Sequence, residues 1–286
     1  MARCEVCFRH CDIRENEAGF CKARGNEHGV IRPLNYGAIT SLALDPIEKK
    51  PLRHFYPGSR ILSVGSYGCN LRCPFCQNSE ISWGDEVSEW PDSARVLTPE
   101  RIADEAQYYK RNGNIGVAFT YNEPLVGYEF VRDTAKLVHD KGMVNAVVTA
   151  GCVSLYVLEE ISPYIDAMNI DLKGFTDDYY SNTLKGDRLT VMNFITEAVK
   201  VCHVELTTLI VPGLNDSDEE MRALSSWIAS LKDAYGNDKG PDIPLHVSRF
   251  FPTFHMSDGE PTEVSKVYHL ADVARENLKY VYTGNC

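Results

Sequence analysis

The run Gly65-Ser66-Tyr67-Gly68-Cys69-Asn70-Leu71-Arg72-Cys73-Pro74-Phe75-Cys76-Gln77-Asn78 follows directly on an apolar stretch, Ile61 to Ser66, and carries three cysteines spaced C-x-x-x-C-x-x-C. A strand that ends in a glycine-bearing loop of reactive side chains is the opening unit of a repeated strand-helix fold, whose chemistry collects at the C-terminal ends of parallel strands. The alternation continues downstream. Gly116 to Tyr121, Val144 to Thr149, Ala167 to Leu172, Val204 to Val211 and Leu245 to Phe250 read as further strands, with helices near 99 to 112, 126 to 141, 188 to 201 and 217 to 232 between them. Thr98-Pro99-Glu100 supplies a helix cap with proline in the first turn, and Asp216 to Glu220 puts acids at the positive end of another helix. Six such units predict an α/β fold, a full or partial barrel.

Three thiolates are one fewer than an electron carrier usually gives a 4Fe-4S cube, so the spacing leaves one iron open to a substrate. A zinc knuckle completed by a distant residue, or reduced core thiols, is the plainer alternative. Two other strand ends carry charge. Tyr121-Asn122-Glu123-Pro124 ends the second strand, where Glu123 can accept from a cation; a helix-starting turn is its alternative. In Asn169-Ile170-Asp171-Leu172-Lys173, alternation turns Asp171 and Lys173 to the same side. Charges on an inward face are costly unless partnered, so either a zwitterionic ligand or an internal ion pair accounts for them. His246 and Arg249 flank the last strand near the expected mouth, and Thr207 lies on the fifth.

Residues 1–55 read as a Cys-rich extension and 56–286 as the barrel with a closing segment. Cys4, Cys7, Cys11 and Cys21, spaced C-x2-C-x3-C-x9-C, are compact enough to meet around zinc, mononuclear iron or an auxiliary 4Fe-4S cluster without help from the barrel. Absence of metal is the remaining reading. His10 stands within this group as a substitute ligand or an exposed imidazole, while Cys152, Cys202 and Cys286 read as ordinary thiols. The stretch Ser82 to Val96 is polar and reads as a surface loop.

The 286 residues include 29 Lys and Arg against 40 Asp and Glu, a net charge of −11, which argues against nucleic acid as a partner. Met1-Ala2-Arg3-Cys4 has no apolar signal core, and no stretch of about eighteen apolar residues is present to span a bilayer. A cytoplasmic location is therefore expected, and with it reduced cysteines whose clusters act as metal ligands.

The Cys69 loop resembles that of the radical S-adenosylmethionine (SAM) superfamily, where C-x-x-x-C-x-aromatic-C carries a 4Fe-4S cluster. The resemblance implies a partial (β/α)6 TIM-like barrel, with Phe75 packed beside the adenine, Glu123 and Asn122 at the SAM ammonium, and Asp171 and Lys173 at its amino-acid end. Asp-x-Lys, Cys76-Gln77-Asn78 and Val211-Pro212-Gly213 resemble the branch typified by pyruvate formate-lyase activating enzymes. By that likeness Asn78, Thr149, Thr207, Val211 and Arg249 join the SAM contacts. Two segments depart from the branch: Val148-Thr149-Ala150-Gly151 replaces the common Asp-Thr-Asn-Gly, and Ser248-Arg249-Phe250-Phe251-Pro252 replaces a Pro-Tyr-His ending.

Those departures, with Cys4-Glu5-Val6-Cys7, Gly19-Phe20-Cys21, Asp45-Pro46-Ile47-Glu48-Lys49-Lys50-Pro51-Leu52 and His54-Phe55-Tyr56-Pro57-Gly58, are similar to the radical SAM enzyme of the AmmeMemoRadiSam system. Members of that group often continue past a Tyr-x-Gly-Asn motif with another cysteine pair. This sequence ends at Gly284-Asn285-Cys286, so a site built on such a tail is not expected. The likeness implies reductive cleavage of SAM to a 5'-deoxyadenosyl radical that abstracts hydrogen from a glycine of a partner protein, or from a small molecule or peptide, with flavodoxin or ferredoxin as reductant. A non-enzymatic iron-sulfur electron carrier and a zinc-stabilised scaffold are the competing readings.

Overall fold

The structure, a computed structural model, describes residues 1–83 and 94–286. Of the expected surface loop Ser82 to Val96, residues 84–93 therefore lie outside the described residues.

Eight strands form the central sheet: β1 (Ser41–Pro46), β2 (Arg60–Gly65), β3 (Asn114–Thr120), β4 (Val144–Thr149), β5 (Ala167–Asp171), β6 (His203–Ile210), β7 (Leu245–Arg249) and β8 (Val281–Gly284). Spatial order follows chain order from one edge to the other. β1 and β2 are antiparallel, and every later neighbour is parallel. Each parallel step needs a crossover, and the helices α1 (Pro99–Tyr108), α2 (Tyr128–Asp140), α3 (Leu155–Ile161), α4 (Arg188–Val201), α5 (Asp218–Ala229) and α6 (Val264–Arg275) supply them. Among the described residues β1 and β8 do not pair, so the barrel is partial, as expected. Thr98 caps α1 through Oγ1, which accepts from Arg101 N at 3.3 Å.

The six expected strands are β2 to β7. The two edge strands were not expected, for different reasons. β1 lies inside the stretch read as an extension, and Pro46 with the following Lys49-Lys50 hides its apolar residues. β8 spans only four residues and is half exposed. α3 was too short, and α6 too mixed in character, to stand out by periodicity.

The floor of the barrel is filled from outside the repeat. Ala118, Ala146 and Ala167 stand in register on β3, β4 and β5, and their small side chains leave room for Ile47, Leu52 and Phe55 of the β1–β2 connection, with Ile61 beside them. Polar groups lock this plug. Asn169 Nδ2 donates to Pro51 O at 2.9 Å, while the amides of Arg53 and His54 donate to the Glu205 carboxylate at 3.0 and 2.7 Å.

The extension packs on the barrel without a break in the core. Cys4, Val6, Cys7 and Ile13 belong to the same buried cluster as Val117, Val147 and Ile170 of the sheet. Arg24, 5% exposed, donates to both oxygens of Glu129 on α2 at 2.7 Å. A buried ion pair of this kind is strongly destabilising to break on one side.

Candidate functional site

The β2 loop turns back over the C-terminal ends of the strands because Gly68 adopts a φ of +96° and gives its amide to Ile81 O at 2.8 Å. The extension presses on that glycine. A side chain at position 68 would meet Ala23 Cβ at 2.6 Å and Cys21 O at 2.8 Å. Gly68→Ala is expected to cost about 2 kcal/mol or more, since the left-handed backbone and the clash add. Urea unfolding checks this, and an unchanged midpoint would show that the extension yields freely.

Cys69, Cys73 and Cys76 all line one cavity of about 430 Å³. So do Phe75, Asn78, Asn122, Glu123, Thr149, Asp171, Lys173 and Thr207 of the expected SAM contacts. Cation and thiols act on each other across it. Burial pushes the Cys73 thiol up to about 11, with Lys173 opposing. Cys69 is raised by burial and then by Glu123, and Cys76 by burial. Three soft sulfur donors from one loop, open to a common cavity, are a donor set that suits iron-sulfur ligation. Among the described residues no three Cys, His, Asp or Glu side chains are gathered about a single-ion point.

Glu123 is 2% exposed, and its carboxylate accepts from Thr149 Oγ1 at 2.7 Å, Ala150 N at 2.8 Å and Leu125 N at 3.0 Å. Burial still wins and raises its pKa. A buried carboxylate in that condition gains from a nearby cation. Asp171 and Lys173 form the internal ion pair at 2.7 Å, and although burial disfavours the ammonium, Asp171 and Cys73 outweigh it and hold Lys173 above its ordinary value. Lys173 lies two residues beyond the end of β5, and both it and Asp171 face the same cavity.

Asn122 serves the turn: its Oδ1 accepts from Ser66 N at 3.1 Å, and its Nδ2 donates to Gly68 O at 3.1 Å. Asn78 Nδ2 likewise donates to Tyr121 O at 2.8 Å. Two expected contacts are not brought to the cavity wall. Arg249 Nε donates to Thr262 O at 2.7 Å with its guanidinium over Phe251, and Val211 is buried with its amide on Asn215 Oδ1 at 2.7 Å. His246 lies lower, on Glu205 Oε2 at 2.7 Å, and His10 Nδ1 faces Glu5 at 2.6 Å.

The sequence did not point to the other side of the cavity, formed by Lys49, Lys50, Tyr121, Ser248 and Asn285. Asp45 anchors it, accepting from Lys50 Nζ at 3.0 Å, Ser63 Oγ at 2.8 Å and Tyr121 Oη at 2.8 Å. Tyr121 has a φ of +77°, an uncommon and strained conformation for an aromatic residue, and its ring lies where a side chain on Gly65 would stand, 2.8 Å away. The signal in the sequence was an Asp at 45 with lysines four and five residues later, just ahead of the first strand of the repeat.

Comparison with known proteins agrees with this geometry. The model of the Radical SAM superfamily matches residues 63–225. An uncharacterized protein of Methanocaldococcus jannaschii is 39% identical over 99% of this chain and 81% of its own length. The pyruvate formate-lyase-activating enzyme of Clostridium pasteurianum is 32% identical over 66% of this chain and 76% of that protein. Among solved structures, a domain of pyruvate-formate lyase-activating enzyme from Bacteroides vulgatus gives a TM-score of 0.50 at 15% identity, covering 59% of this chain and 98% of that one. Streptococcus suis SuiB bound to S-adenosylmethionine gives 0.57 at 12% identity, covering 77% and 48%. At these identities the structural likeness speaks for the fold.

Proposed function

We propose, from the premise that this chain belongs to the radical SAM superfamily, that it holds a 4Fe-4S cluster on Cys69, Cys73 and Cys76 and binds SAM in the cavity beside it. The observation that carries the reading is the single cavity lined by those thiols, Glu123 and the Asp171–Lys173 pair. When bound, the cluster supplies one electron for cleavage of SAM into methionine and a 5'-deoxyadenosyl radical. The chain's own residues orient and enclose. Lys173 is positioned for the SAM carboxylate and Glu123 for its ammonium, while Phe75, 5% exposed, offers an apolar face to the adenine. Phe250 meets Phe75 edge to face at 6.2 Å and holds that ring in place.

The finer assignment we propose is to the radical SAM enzyme of the AmmeMemoRadiSam system, supported by the shared segments from Cys4 to Gly58. Relatives named as activating enzymes support a glycine of a partner protein as the hydrogen donor. A low-potential flavodoxin or ferredoxin is the reductant that fits.

Anaerobic reconstitution with iron and sulfide, followed by dithionite and SAM, tests the reading. Methionine and 5'-deoxyadenosine are the expected products, and their absence from iron-loaded protein overturns it. Lys173→Met is expected to weaken SAM binding by about 10-fold to 100-fold, the worth of one charge-assisted hydrogen bond, with iron content unchanged. Calorimetric titration of the reconstituted variant reads this directly, and equal affinity would remove Lys173 from the carboxylate.

A further inference from the structure

The four cysteines of the extension line a second, mostly enclosed cavity, whose wall also includes Arg9 and Arg24. The reaction proposed above uses none of them. Pairing of Ala2–Arg3 with Asp12–Ile13 brings Cys4 back beside Cys11, whose carbonyl accepts from Cys4 N at 2.9 Å. Cys7 and Cys21 are buried against the same space. All ten cysteines of the chain are free thiols. Four neutral thiols gain little from this company, because S–H is a weak donor and sulfur a weak acceptor.

The wall also holds an unmet donor. Arg24 gives Nη1 to Glu129, but its buried Nε finds no hydrogen-bond acceptor among the described residues. A buried polar group left in that state costs about 1–3 kcal/mol. Thiolates would accept from it, and the guanidinium groups of Arg24 and Arg9 would offset their charge. What turns four gathered thiols into thiolates is a metal.

We propose that Cys4, Cys7, Cys11 and Cys21 hold a thiolate-ligated metal centre, distinct from the Cys69 loop and braced against it. The bracing is direct. Arg9 Nε donates to Asn70 O at 2.9 Å, one residue from Cys69, and the Cys7 thiol lies against the Asn70 side chain. Cys21 O faces Gly68. Filling the site therefore fixes the loop from behind. No three of the four sulfurs lie about one point, so either a single ion or a cluster would require the four side chains to rearrange around it. Both are four-thiolate chemistry.

The test uses the full chain with Cys69→Ala, Cys73→Ala and Cys76→Ala combined, purified anaerobically and assayed for metal and acid-labile sulfide. About one zinc or iron without sulfide, or about four irons with four sulfides, is expected per chain; adding Cys4→Ser and Cys21→Ser should remove it. Metal-free protein in the first variant overturns the proposal. Alkylation of the unmutated protein guards against misfolding. Peptides containing the four cysteines should resist iodoacetamide until a chelator is added, whereas equal labelling with and without chelator is a second refutation. Metal bound when Cys69, Cys73 and Cys76 are replaced reports on the four extension cysteines alone, whatever the outcome of the 5'-deoxyadenosine assay, so the two readings can fail separately.

Discussion

Cys73→Ala is expected to reduce 5'-deoxyadenosine formation by at least about a thousandfold, to below detection, because two remaining thiolates would not anchor the cluster proposed to sit on three with one iron open. Cys73 is the informative member of the trio. Of the three, it interacts most strongly with Lys173, which opposes the effect of burial on its thiol. Its removal thus takes away both a proposed ligand and a close neighbour of the Lys173 ammonium. Iron retained after reconstitution should fall in parallel. Cys202→Ala is the control: that thiol sits at the end of α4, near Ala198 O at 3.7 Å and away from the cavity wall, and its loss should leave turnover unchanged. A Cys73→Ala protein that still makes 5'-deoxyadenosine would mean the cluster is held elsewhere.

The second large effect concerns stability. Glu205 is 0% exposed on β6, and burial opposes its charge, yet His203, His246 and the amides of Arg53 and His54 outweigh that cost and lower its pKa from 4.5 to about 2. Because an ionised carboxylate only accepts, both imidazoles must present Nε2–H to it, at 3.0 Å for His203 and 2.7 Å for His246. Glu205→Ala strands all four donors in the floor and is expected to cost about 3–5 kcal/mol. The sign with pH follows from the lowered value. The unfolded carboxyl takes up its proton first, so the contribution is complete above about 4.5 and is lost as pH falls toward about 2, amounting to about 3 kcal/mol. Urea unfolding of both proteins between pH 6 and 3.5 should show their difference shrinking as pH falls. A constant difference would remove Glu205 as the source.

How far the sequence could be read depends on the kind of residue. Strands β2 to β7 announced themselves because each is a buried apolar run bounded by turn residues, and the three thiols because loop spacing alone brings them together. Asp45, Lys50 and Tyr121 did not, since their meeting depends on β1 pairing antiparallel with β2, a step the βα rhythm does not contain. Arg249 was expected at the mouth from its position at a strand end; the nearby Thr262 carbonyl draws its guanidinium away. Glu205 was visible as a charge inside Val204-Glu205-Leu206, but two of its four partners, the amides of Arg53 and His54, come from a connection some 150 residues earlier, which no local pattern links to it.

That separation sets a schedule during synthesis. The Arg53 and His54 amides precede Glu205 by 152 and 151 residues, an interval of about 8–30 s at typical ribosome speeds of roughly 5–20 residues per second. During it Ile47, Leu52 and Phe55 can rest on the alanines of β3 to β5 as those emerge, and of the plug's latches to Asn169 and Glu205 only the bond from Asn169 Nδ2 to Pro51 O can close. A ribosome stalled before β6 would therefore display a nascent chain whose apolar floor lacks its Glu205 latches and hangs on the Asn169 bond to Pro51, a species on which holding chaperones act.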